Sequence, residues 1–480
     1  MANSDSSSEA TVANRRFPKS VCLVLFSKFL ERFCATGISA ILVVYLHTKL
    51  GFDQSSSTAI YHLNELFTFF FPLFGAILAE SYCGLFKAIV TTCFIAFVGG
   101  LVVTLSTIGG IATFKISLTL IGLVLLYASL GSMRSNLVAF GADQYVLPGE
   151  AKGRELYFPL QMLCIKCGSL LGRIVVPILR EDVKCFEEDS CYFLAFGAPT
   201  LTILLAFIIM ICGKSIFIHI HYSGNMFMKM INSITYALKK KNQIEVKSHW
   251  LDYAENKYGE DHVKATKLVL ENLVIFLPTA FYWAVFAQQG SRWIFQAMQM
   301  NGDVGIFVIK PDQMIALNSI FSIMSLPLCN FVLFPLVAKL GYGCLLKRIA
   351  IGGFLCCFSF ILASIVEVNI YEKEKISILW LIPQFAVLAI SENFVYISLI
   401  DFAYSETPHG MKSVMTAIVF LLIAFGNLFI TFISSSKLFN SQFYEFLFYA
   451  GILFVDMIIF IGLSNKYMRR KNRRVSDVEM

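Results

Sequence analysis

From one end of the chain to the other, predominantly apolar segments of about 20 residues or more recur between short polar stretches, and that length is what a helix needs to cross a hydrocarbon core about 30 Å thick. Hydropathy windows of that size give about twelve spans, at 21–46, 58–79, 88–109, 116–142, 157–179, 193–212, 271–291, 313–338, 347–366, 378–403, 412–434 and 443–464. Composition points the same way. The 480 residues are 57% apolar and only 15% charged, with 46 Phe and a mean hydropathy of +0.70, too few charges to cover a water-facing globule. Soluble, disordered and collagen-like chains are excluded. The expected fold class is an all-α membrane protein of twelve transmembrane helices in two six-helix bundles.

The net charge of +7 does not mark a nucleic-acid partner, because its placement is topological. About 25 of the 39 Lys and Arg fall on one side of the spans, about 9 on the other and about 5 inside, a bias that sets orientation. An even number of spans puts both termini on one face. The tail bearing Lys466, Arg469, Arg470, Lys471, Arg473 and Arg474 makes that face cytoplasmic. The expected organisation is a cytosolic tail at 1–20, a first bundle at 21–212, a cytoplasmic linker at 213–270, a second bundle at 271–464 and a basic cytosolic tail at 465–480. Within the linker, Met226 to Leu238 and His249 to Tyr258 read either as amphipathic helices at the membrane surface or as a solvated connection. A 6+6 layout of this kind suits a carrier whose halves rock about a midplane site.

Ionisable groups within spans are costly and normally face a partner or a water-filled cavity. The first six spans hold Lys28, Glu31, Arg32, His62, Glu65, Arg134, Lys166 and Arg173, a net positive set. The last six hold Glu271 at an edge, Glu392, and Asp401 and Asp456 near span ends, with no buried base. A cavity lined by both sets has a cationic and an anionic wall, the field that complements a zwitterion, since Arg grips a carboxylate bidentately and a carboxylate accepts from an ammonium. Plainer readings stand beside this one. Lys28, Glu31 and Arg32 suit an intrahelical ion pair, His62 and Glu65 a mutual i,i+3 pair, and Tyr282 and Trp283 ordinary packing. Thirteen cysteines are too dilute for a disulfide scaffold and suggest no metal site; for Cys185 and Cys191, in an outward loop, a disulfide and two free thiols are both open.

The turn GAILAESYCGLFK at Gly75 to Lys87 resembles the signature loop of the major facilitator superfamily. FLERFCATGISAILVVYL and STAIYH, with SMRSNLVAFGADQY, HWLDYAENKY, FYWAVFAQQGSRW, PDQM, IPQFAVLAISE and FAYSETPHGMKSV, follow in the order found in the proton-coupled oligopeptide transporters, animal branch, which the chain resembles over nearly its whole length. The resemblance implies symport of di- and tripeptides with protons by alternating access. No cofactor beyond the coupling protons is implied, and the expected partners are small peptides, protons and the lipid bilayer, for a functional monomer. Carried over by position, Arg32 and Arg134 receive the peptide carboxylate, Glu392 helped by Asn318 receives its amino terminus, and Tyr45, Trp283 and Gln289 line the pocket. Glu31 and His62 fall on proton-coupling positions.

Departures from the family pattern are also present. The family has Glu at Lys28, Asn at Lys166 and an Asp at Ala287, and its large extracellular domain between spans nine and ten is replaced by Asn369 to Ser377. A cation beside Glu31 favours its charged form and argues against ready proton cycling there. Each new base has a new acid, so Lys28 with Glu65 and Lys166 with Glu271 are expected as rewired ion pairs. Two rivals follow: the same fold carrying histidine, other amino acids or organic anions, and a transport-impaired receptor or scaffold. An enzyme is not expected, as no HExxH or GxSxG motif occurs. The plasma membrane is the expected location, with a lysosomal membrane as the alternative.

Overall fold

The computed structural model describes residues 18–108, 114–145, 151–185, 189–219, 226–241, 247, 249–372, 376–406, 411–439 and 441–479. Most of the tail expected at 1–20 lies outside them. Among the described residues, eleven helical segments are long and apolar enough to cross a membrane, and a bent pair brings the number to twelve when taken as one span.

The chain divides into two compact units: Met1–Gly51 with Phe67–Ser223, and Phe52–Leu66 with Gly224–Met480. The first unit is built from α1 (Lys19–Thr48), most of α2 (Gln54–Leu78), α3 (Leu85–Ser106), α4 (Lys115–Ala142), α5 (Ala151–Glu181) and α6 (Tyr192–Cys212). Helix α1 is its centre, packing on α4, α5 and α6, while α3 packs on α4 and α6. Such an enclosed position explains why α1 has no polar stripe: nearly all of it from Leu30 onward is buried. Helices α2 and α4 approach closely because their contact is made of glycine and serine. A Cβ at Gly75 would lie 2.6 Å from the Ser132 carbonyl oxygen, and one at Gly131 2.8 Å from that of Thr68. The same seam is stitched by Ser132, Ser135 and Asn136, which donate to the carbonyls of Phe71, Pro72 and Gly75 at 3.2, 3.2 and 3.1 Å.

In the second unit, α7 (Met226–Lys240) and a helical turn at Trp250–Ala254 enclose a small core of Ala237, Leu251, Ala254 and Val263. His249 and Asp252 cap that turn reciprocally, and Lys267 pairs with Asp252. Helix α8 (Glu260–Phe276) then leads into α9 (Thr279–Ala287) and α10 (Arg292–Met298). Pro278 has no N–H to continue the ladder, and the segment bends by 50° there. Helices α11 (Ile315–Leu328), α12 (Leu345–Glu372), α13 (Ile382–Ser405), α14 (Lys412–Ser435) and α15 (Gln442–Glu479) complete the unit. Helix α12 packs on α13 and α15, α11 on α13, and α9 on α14.

Two sequence expectations are corrected here. The bent pair Glu260–Phe276 and Thr279–Met298, the candidate seventh crossing, carries Glu271 within α8. It also takes in Arg292, a buried base in the half expected to have none. Helix α12 runs past 366 to take in the fully buried Glu367, and its Oε2 accepts from Gln296 at 2.8 Å. The question left open for Cys185 and Cys191 is answered by a disulfide.

Candidate functional site

In the first unit the charged residues of α1 meet α4. Glu31 is fully buried and bracketed by cations: the Lys28 ammonium lies 2.9 Å from Oε2, and Arg32 Nε donates to the same oxygen at 2.8 Å while its Nη2 reaches Oε1. Three residues of one helical turn therefore form a +1 cluster. Lys28 also donates to the Arg134 carbonyl at 3.1 Å, which ties this cluster to the helix that the α2–α4 seam positions. The half-buried Arg134 guanidinium lies 4.7 Å from the centre of the Phe69 ring, a cation–π contact that holds its plane. Lys28 and Arg32 are thus brought together on one carboxylate, with the Arg134 backbone held against Lys28, and the intrahelical pair stands as the partnership of Lys28. Tyr45 is fully buried, with its ring centre 4.9 Å from Tyr192 and 5.0 Å from Phe196. Lys166 is half-buried on α5.

Within the second unit, Glu392 stands half-buried on α13, and Asn318 of α11 donates to its Oε2 at 3.4 Å. Neighbouring Asn393 fixes the register of these helices by donating to the Ser322 carbonyl at 3.0 Å and to Ser325 Oγ at 2.9 Å. Tyr282 donates to Ser391 Oγ at 3.0 Å, and Ser391 in turn donates to the Gly352 carbonyl at 2.7 Å, so α9 is locked to α12 and α13. Trp283 follows on the adjacent face. Its indole Nε1, Gln289 Oε1 and Asn318 Oδ1 are buried with no hydrogen-bond partner among the described residues, an arrangement that leaves polar capacity for a ligand. Glu65 and Glu271 are half-buried on α2 and α8.

His62 is fully buried and belongs to the second unit. The Nδ1–H donates to Asn427 Oδ1 at 2.8 Å and Nε2 accepts from Ser291 Oγ at 3.1 Å, which corrects the expected mutual pair with Glu65. Ser291 Oγ also lies 3.0 Å from Gln288 Oε1. A proton added to Nε2 turns that bond round: Nε2–H donates to Ser291, whose hydroxyl then donates to Gln288. Both protonation states of His62 are therefore satisfied by rotating one hydroxyl.

One residue further, Arg292 forms a pair that sequence reasoning missed. Its Nε donates to Glu445 Oε1 at 2.9 Å, Tyr449 donates to the same oxygen at 3.1 Å, and Nη2 donates to Ser55 Oγ at 3.3 Å. The signal was present as the polar run QQGSR inside an apolar segment, but the span was closed one residue too early.

A family model described as "PTR2: POT family" matches residues 86–441. The chain is 33% identical over 372 residues to Solute carrier family 15 member 1 of Canis lupus familiaris, covering 74% of this chain and 52% of that protein. It is 34% identical over 361 residues to Peptide transporter family 1 of Drosophila melanogaster, covering 74% and 48%. The chain spans about half the length of these curated relatives. The in meso crystal structure of the POT family transporter PepTSo matches with a TM-score of 0.81 at 21% identity, covering 94% of this chain and 99% of that one. That likeness shows the fold, a helical membrane protein of the major facilitator type, as expected from the sequence.

Proposed function

The chain belongs to the POT family, and on that premise we propose that it is a secondary active carrier that takes up di- and tripeptides by proton symport through alternating access. The observation that carries this reading is the division of charge: the first unit holds Lys28 and Arg32 on the carboxylate of Glu31 with Arg134 tied to Lys28 through its backbone, and the second presents Glu392 beside Asn318. A short peptide is a zwitterion. Arg32 and Arg134 suit its carboxylate through forked N–H donors, and Glu392 suits its ammonium, with the unpartnered Asn318 Oδ1 as a second acceptor. The bare polar atoms of Trp283 and Gln289 support their assignment to the pocket, whereas Tyr45 contributes by packing its ring against α6.

The cluster on α1 suggests how binding proceeds. When Arg32 turns from Glu31 to the peptide carboxylate, Lys28 stays on Glu31, so no buried carboxylate is left without a cation. The moving proton is assigned to His62, whose Ser291–Gln288 hydroxyl relay accommodates both of its states, and Glu31 enters the coupling through its exchange of Arg32. Lys28 with Glu65 and Lys166 with Glu271 are retained as proposed charge partners. One proton charge moving inward down 100 mV releases roughly 2.3 kcal/mol, about a fiftyfold concentrating power before any pH gradient. The carrier is proposed to act as a monomer in the plasma membrane with both termini cytoplasmic, with no cofactor besides protons. The test is Glu392→Gln, expected to abolish uptake of a dipeptide with a free amino terminus while leaving surface expression intact; unchanged uptake removes the assignment.

A further inference from the structure

A second polar feature of the second unit has no part in that cycle. Asp456 lies within helix α15 and is only 7% exposed, yet among the described residues it has no hydrogen-bond or ion-pair partner, and its Oδ2 is buried bare. Every other deeply buried acid named above has a donor: Glu31 has two cations, Glu445 has Arg292 and Tyr449, and Glu367 has Gln296. Asp456 lines a groove of about 440 Å³ between α9 and α15, whose other walls are Phe281, Phe448, Gly451, Ile452, Val455 and Ile459. Apart from Asp456 that lining is apolar. The groove opens at the unit's surface, where Val455 and Ile459 are more than half exposed at 57% and 53%. Gly451 makes the room: a Cβ there would meet nothing within 4 Å.

We propose that this groove is a binding site for a lipophilic amine, with its cationic nitrogen on the Asp456 carboxylate and its hydrocarbon body along Phe281, Phe448 and Ile452. The chemistry narrows the ligand from two sides. A buried carboxyl without a partner is held in its charged form only by a cationic hydrogen-bond donor, because isolated charge in apolar surroundings is costly. The apolar walls favour a ligand that carries a hydrocarbon body beside its cationic nitrogen. The volume lies within the range of roughly 300–1,000 Å³ typical of small-molecule sites. This site is separate from Glu392 and His62, so its occupancy does not depend on the substrate assigned above.

The test measures saturable binding of radiolabelled N,N-dimethyldodecylamine to the full chain in phosphatidylcholine nanodiscs, with dodecanol as the neutral competitor of equal chain length. Asp456→Asn is expected to weaken amine binding at least about tenfold, the size expected for losing a charge-assisted hydrogen bond. Gly451→Leu leaves the carboxyl in place but fills the groove, and it favours the helix, so it is expected to fold and to lose binding as well. Dodecanol is expected not to displace the amine. Unchanged amine affinity in both variants, or displacement by dodecanol as effective as by unlabelled amine, overturns the proposal.

Discussion

Breaking the Arg292–Glu445 pair from one side has a different cost from removing both partners. Arg292 is 6% exposed and Glu445 3%, so neither substitution partner can recover hydration in place. Arg292→Met leaves a buried carboxylate with only the Tyr449 hydroxyl, and Glu445→Leu leaves a buried guanidinium with only Ser55. Each single change is expected to cost about 3–5 kcal/mol, the range for stranding one member of a buried pair. For a unit of this size that lowers the apparent melting temperature by roughly 10 °C. The double variant replaces both ions with apolar side chains of similar volume and is expected to recover most of the loss, apart from about 1 kcal/mol for the Tyr449 hydroxyl left without its acceptor. Thermal unfolding of the four proteins in one detergent gives the cycle, with an expected coupling of at least about 2 kcal/mol. Additive losses would mean that the two side chains do not act as a pair, and the argument from their geometry would fail.

His62→Phe removes the partners of Asn427 and Ser291, so it is expected to cost about 1–3 kcal/mol in detergent unfolding and to flatten the acid stimulation of uptake; a wild-type pH profile in a folded variant contradicts the proton assignment. Gly75→Val drives a side chain into the backbone of Ser132, and a loss of about 1–3 kcal/mol or more is expected from overpacking, read as a lower melting temperature. Lys166→Glu and Glu271→Lys are each expected to reduce peptide uptake, with recovery in the combined variant; two silent single reversals would dismiss that charge partnership.

Much of the fold was legible because hydrocarbon thickness imposes one segment length on every span, and averaged hydropathy reads that length well. The same averaging hides single charges near the edges of a window. Arg292 and Glu367 fell just beyond the spans drawn from sequence, and Glu445 just inside the start of one, although all three are buried. Pro278 marked a break, but whether the chain resumed straight or bent depended on its packing against α14. The cationic cluster of the site was readable because Lys28, Glu31 and Arg32 are neighbours in sequence. The surroundings of His62 were not, since its partners Ser291 and Asn427 come from segments hundreds of residues away. Those contacts, with Ser55 and Gln54 meeting Arg292 and Gln442, also group Phe52–Leu66 with the second unit, which no linear reading of six plus six expresses.

Current recorded from oocytes expressing the full chain, on adding one dipeptide at neutral and at acidic external pH, tests the proposed function most directly. Inward current that saturates with the dipeptide, grows with acidity and disappears in Glu392→Gln at equal surface expression is the predicted result. Uptake without current, current indifferent to external pH, or a Glu392→Gln response equal to the parent would contradict the account.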